Sequence, residues 1–97
     1  MTLNSEIINY FKNKPVKKVY LFGSSVNDEA KANDIDILIE LEPNHIVTLF
    51  DMGKWTIELE NTFHKKVDLI TTENINVLIK PFIEAQKKLI FNNPKYA

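Results

Sequence analysis

The chain has 97 residues, 44% hydrophobic and 26% charged, with a formal net charge of −1. That length and mix fit one globular domain spanning 1–97, able to bury roughly 60–70% of its unfolded surface without staples. The near-neutral balance excludes a general electrostatic pull on nucleic acid or anionic membrane, and the lack of cysteine excludes a disulfide framework, a thiolate metal site and a thiol nucleophile.

Leu3, Ile7, Ile8 and Phe11 recur at helical spacing, so residues 3–13 read as a short amphipathic helix, ended at or before Lys14 by Pro15. Residues 17–22, "KKVYLF", suit a strand that runs into Gly23. Residues 24–31 read as a brief helix or turn. In "DIDILIEL", Asp34 to Leu41, strict alternation puts Ile35, Ile37, Ile39 and Leu41 on one face and Asp34, Asp36, Leu38 and Glu40 on the other. From about Thr48 to Phe63 the period is helical again, with Met52, Trp55, Leu59 and Phe63 in one stripe, despite Gly53. "KKVDLIT" at 65–71 predicts a third strand, Val67 and Leu69 facing one way, Asp68 and Ile70 the other. A last helix is expected over roughly 80–91, with Pro81 in its first turn. Strands separated by helices predict an α/β (α+β) layer structure, a small mixed β-sheet with helices packed on it.

No uninterrupted apolar run approaches 18 residues, so no membrane span is expected. The first residues lack the basic-then-apolar order of a secretion signal. Together with the missing cysteines this fits a reducing, cytoplasmic setting. All twelve basic residues are lysine. No planar, bidentate guanidinium is on offer to a phosphate.

Two features carry chemistry. A strand ending in Gly23, followed by Ser24 and a short helix, lets backbone amides and a hydroxyl converge on an anion. On its own, a Gly-Ser pair is more often a plain capped turn. Asp34 and Asp36 stand two apart on a strand, so both point to one face, their Cα atoms about 6.5–7 Å apart. Aspartate is depleted in strands, and like charges this close repel. A hard divalent cation relieves that repulsion with oxygen ligands. Asp68 repeats the pattern; of the five aspartates, three lie in strand patterns. If the third strand neighbours the second, the three carboxylates meet, an arrangement able to hold two metal ions.

"LFGS" at 21–24, "NDIDI" at 33–37 and "KKVDLI" at 65–70, in that order and spacing, resemble the three signature blocks of the minimal nucleotidyltransferases, within the polymerase-beta-like nucleotidyltransferase superfamily. The resemblance runs from about Lys17 to Phe91. It implies transfer of AMP from ATP to a hydroxyl, with pyrophosphate leaving. Gly23 and Ser24, with Ser25 beside them, would bind the nucleotide's β- and γ-phosphates. Asp34 and Asp36 would ligate two Mg²⁺ ions. Asp68 would ligate the catalytic one and help activate the attacking hydroxyl. Such proteins are often encoded beside a small helical HEPN-type toxin, for which they serve as antitoxin by adenylylating a tyrosine or by masking it.

The chain departs from that pattern in one block. The family commonly continues Gly-Ser with a small-Arg-Gly run; here Asn27 stands about where the arginine would be, and Asn33 replaces a frequent serine. Losing a charge-assisted contact costs about 1.5–3 kcal/mol, which weakens the triphosphate cradle more than the metal site. Lys31, Lys54 or a basic residue of a partner could compensate. The alternative reading is therefore a catalytically weak module that neutralises its partner by binding. Transfer to RNA ends or to a small molecule is a third, disfavoured by the charge and by the lack of accessory sequence. His45 and His64 read as surface residues, and Trp55 as core or partner surface.

Overall fold

A computed structural model describes residues 2–23 and 34–96. Helix α1 spans Leu3–Phe11, strand β1 Val16–Phe22, strand β2 Asp34–Leu41, helix α2 Leu49–Phe63, strand β3 Lys66–Thr71, helix α3 Lys80–Gln86 and strand β4 Lys88–Asn92. The strands form one mixed sheet in the order β3-β2-β1-β4. β1 lies antiparallel to β2 and to β4, and β2 lies parallel to β3. A parallel neighbour demands a crossover connection, and α2 supplies it.

Local chemistry sets the helix limits. Thr2 and Ser5 form a reciprocal capping box at the start of α1, and Thr48 and Asp51 do the same for α2, where the Thr48 Oγ1 accepts from the Asp51 amide at 3.1 Å. His64 closes α2 in the left-handed region, φ 55°, a conformation that costs a non-glycine residue strain but turns the chain sharply into β3.

The core lies on one face of the sheet. Ile7 and Phe11 of α1 and Trp55 and Leu59 of α2 pack on Val19 and Leu21 of β1, Ile35, Ile37 and Ile39 of β2, and Val67 of β3. The Phe11 and Trp55 rings meet edge to face at 6.0 Å. A bulge between Val16 and Lys18 resets the alternation of β1, which is why Val16 and Val19, three apart, are both buried.

The other face carries the register rows Tyr20–Leu38–Ile70 and Phe22–Asp36–Asp68. Leu38 is fully buried, and Ile83 of α3 is nearly so. The Lys87 ammonium, just past α3, sits 4.4 Å from the centre of the Tyr20 ring. The apolar stripes of the helices thus divide in a way that periodicity left open: Trp55 and Leu59 face inward, while Leu49, Phe50 and Ile57 on α2 and Phe82 on α3 are exposed.

One expectation is overturned. The helix predicted over 80–91 stops at Gln86, and Lys88–Asn92 instead forms β4 on the far edge of β1. The run Leu89-Ile90-Phe91 fits either periodicity over so short a length, and the open edge of β1 decides it. Asn93 then locks the strand end. It is buried, and its Nδ2 donates to the Val16 carbonyl at 3.0 Å while its Oδ1 accepts from the Lys95 amide at 3.1 Å. The brief helix or turn expected at 24–31 lies outside the described residues. Among the described residues no helix is long and apolar enough to cross a membrane.

Candidate active site

β2 and β3 run parallel with Asp36 directly opposite Asp68. Strand alternation sends both away from the helix-covered core, because Ile35, Ile37, Val67 and Leu69 take the other face. The two carboxyl groups share a side-chain hydrogen bond, and a pair of carboxyls can do so only while one holds a proton. Burial of Asp36, then this hydrogen bond and the charge of Asp68, then the charge of Asp34, push the Asp36 carboxyl up to about 6, against a smaller opposing effect of Lys66. Asp34 stands at the start of β2, in register with Lys66.

Gly23 closes the site from β1. Its φ is +68°, and a Cβ there would lie 2.4 Å from the Asp36 Oδ2. The position therefore requires glycine twice, for the backbone conformation and for the close approach of the carboxylate. Phe22, Asp36, Asp68, Ile70, Ile79 and Ile83 line an open cleft of about 410 Å³, which extends at the β3 edge of the sheet to Val67, Leu69 and Thr56 of α2.

Of the residues singled out in the sequence, the structure brings together Gly23, Asp36 and Asp68. Asp34 acts on Asp36 through its charge. Ser24 and Ser25 lie outside the described residues, as do Lys31 and the departures Asn27 and Asn33. Among the described residues, no group of three His, Cys, Asp or Glu side chains is placed to hold one ion. The donor chemistry nevertheless fits a hard divalent cation. Two oxygen-only ligands stand opposite each other on neighbouring strands, and the repulsion that helps raise the Asp36 carboxyl is one that a bound cation would relieve.

Sequence reasoning missed the apolar wall of the cleft. Ile79 and Ile83 read as the apolar side of a helix, and only the fold shows that this side also borders the aspartates. The bland readings of the other polar residues agree with their surroundings. His45 Nδ1 lies 2.7 Å from the buried Glu42 carboxylate, His64 is a helix cap, and Trp55 belongs to the core.

Comparison with known proteins points the same way. Residues 5–96 match the sequence profile of the family described as polymerase beta, nucleotidyltransferase. A Methanocaldococcus jannaschii protein, named provisionally as a protein adenylyltransferase, is 34% identical over 79 residues, covering 80% of this chain and 83% of that protein. A solved toxin–antitoxin structure with AMP-PNP superposes with a TM-score of 0.79 at 18% identity, covering 97% of this chain and 77% of that one. A complex of tri-AMPylated Shewanella oneidensis HEPN toxin with MNT antitoxin gives 0.72 at 18% identity, with coverage of 95% and 71%. At these identities the solved structures establish a shared fold.

Proposed function

Because the chain belongs to the polymerase beta nucleotidyltransferase family, we propose that it is a Mg²⁺-dependent enzyme that transfers AMP from ATP to a tyrosine hydroxyl of a small helical HEPN-type toxin, and so acts in the cytoplasm as that toxin's antitoxin. The observation that carries the reading is the pairing of Asp36 with Asp68 across β2 and β3, next to a glycine whose positive φ and close approach to Asp36 disfavour any side chain. The name of the Methanocaldococcus relative supports a protein acceptor. The AMP-PNP and AMPylated toxin in the solved complexes support an adenine nucleotide and a HEPN partner.

In this reading Asp34, Asp36 and Asp68 hold the metal. Bound there, Mg²⁺ supplies a lowered pKa for the attacking hydroxyl and charge neutralisation for the departing pyrophosphate. The protein's own contribution is placement. Rigid pairing of two strands fixes the carboxylates relative to each other, and the Gly23 backbone leaves room for phosphate beside them. Ser24 and Ser25 follow in sequence as hydrogen-bond donors to the nucleotide's phosphates. The acceptor oxygen forms its bond to the α-phosphorus as the α–β bridging bond breaks, and Asp68 helps draw off the hydroxyl proton.

Incubation with labelled ATP, Mg²⁺ and a HEPN-type protein found encoded beside this chain tests the reading. Label should appear on a tyrosine of the partner with the native chain and vanish with Asp36→Ala. Absence of label with both overturns it. A second reading, neutralisation by binding alone, is favoured by the missing arginine and by the exposed apolar side chains of α2 and α3. It expects an Asp34→Ala, Asp36→Ala double variant to bind the partner and protect cells undiminished.

A further inference from the structure

We infer that Val77, Leu78, Ile79 and Phe82 form the docking surface for the acceptor polypeptide, gripping apolar side chains that flank the hydroxyl presented to Asp36 and Asp68. The inference rests on the proposal above that the acceptor is a protein.

Val77 and Leu78 are each 78% exposed, Phe82 is 68% exposed and Ile79 48%. A single exposed aliphatic is ordinary; four within six residues are not. The segment is held in this pose by its own hydrogen bonds. The Asn76 carbonyl accepts from the amides of Ile79 and Lys80 at 3.1 and 3.0 Å, and the Asn76 Oδ1 accepts from the Leu78 amide at 2.9 Å. With the turn tied this way, and Pro81 fixing the first turn of α3, Val77 and Leu78 are displayed rather than folded under.

The position of the patch names its occupant. Ile79 lines the aspartate cleft, as does Ile83 one turn further on, so the apolar surface begins where the cleft ends. A hydroxyl reaching Asp68 brings its neighbouring residues across this rim. The patch carries one cation, Lys80, in a chain with no arginine and a net charge of −1, which suits apolar side chains and not a phosphodiester backbone. Another exposed group among the described residues, Leu49, Phe50 and Ile57, lies on α2, which packs against the opposite face of the sheet. Thr56 of α2 borders the cleft, but none of these three side chains does, so the exposed apolar surface continuous with the cleft is the one at Ile79.

Two fluorescein-labelled synthetic peptides serve as probes, each with a central tyrosine, one flanked by leucine and isoleucine and one by serine. Anisotropy is measured without nucleotide or Mg²⁺, so that docking is read independently of catalysis. The native chain should bind the apolar-flanked peptide at least tenfold more tightly. Val77→Ser with Phe82→Ser should reduce that preference to within twofold at an unchanged melting temperature, whereas Phe50→Ser with Ile57→Ser should keep it. Equal or undetectable binding of both peptides by the native chain overturns the inference. So does a preference that survives Val77→Ser with Phe82→Ser, or tighter binding of a single-stranded oligonucleotide. With Mg²⁺, ATP and the helical partner, the Val77/Phe82 variant should raise KM for the partner and leave kcat unchanged; a fall in kcat alone also counts against it. Absence of any AMP transfer by the native chain, with the peptide preference and its loss intact, would refute the catalytic reading and leave the docking surface standing.

Discussion

Replacing Asp36 with asparagine should make the cation-free protein more stable at neutral pH while abolishing transfer. Burial, the Asp68 hydrogen bond and charge, and the Asp34 charge raise the Asp36 carboxyl from 3.8 to about 6. A carboxyl whose pKa is raised by folding binds its proton more tightly in the folded state. Its stabilising contribution is complete below its unfolded pKa and is lost as pH rises through the folded value of about 6. At pH 7.5 the ionised Asp36 is therefore a liability. A shift of this size corresponds to about 3 kcal/mol for a group sealed from water. Asp36 is only half-buried, and solvent screening reduces this to about 1–2 kcal/mol. Asparagine carries no charge, and its amide donates to Asp68 at every pH. The gain should be about 1–2 kcal/mol at pH 7.5, or about 4–8 °C in melting temperature per kcal/mol for a domain of this size, and should fade towards pH 4. Urea unfolding in EDTA, followed by Trp55 fluorescence at both pH values, measures it. A variant less stable than the native chain at pH 7.5, or a gain that is the same at both, would refute the reasoning. Added Mg²⁺ should narrow the difference by stabilising the native chain.

Gly23→Ala should lower activity and stability together, because φ +68° is strained for alanine and its Cβ would collide with the Asp36 Oδ2; a loss of about 1–3 kcal/mol in urea unfolding is expected. Gly53→Ala should do the reverse, since nothing lies within 4 Å of the added Cβ; alanine in a helix interior is worth about 1 kcal/mol over glycine, read as a higher melting temperature. Asn93→Ala should cost about 1–3 kcal/mol by leaving the buried Val16 carbonyl without its donor; equilibrium unfolding unchanged by the substitution would contradict the role given to this side chain.

Much of the candidate site's geometry was legible because strand alternation is a strict code. The eight residues of "DIDILIEL" could only bury their isoleucines by turning both aspartates the other way, and β2 has the predicted limits, Asp34–Leu41. The same logic placed Asp68 opposite Val67. That β2 and β3 would be neighbours was a conditional in the sequence, and backbone pairing resolved it. The end of the chain was less readable. Lys88–Asn92 has no preference of its own strong enough to distinguish a last helical turn from an edge strand, and its state is chosen by β1, some seventy residues earlier. The raised Asp36 carboxyl and the isoleucines beside it were also beyond reach, since both depend on which surfaces meet across the sheet.

The direct opposition of Asp36 and Asp68 constrains how this protein can change over generations. Sliding β3 by one residue against β2 would swing Asp68 under the helices and expose Val67 and Leu69, so the proposed chemistry and the packing share one alignment. An insertion or deletion in the sharp bend at His64 that shifts this alignment would forfeit both at once and be purged as a folding failure. Point substitution is the route left open. Lineages that abandon transfer should therefore keep every strand length intact and carry their history in single acidic positions.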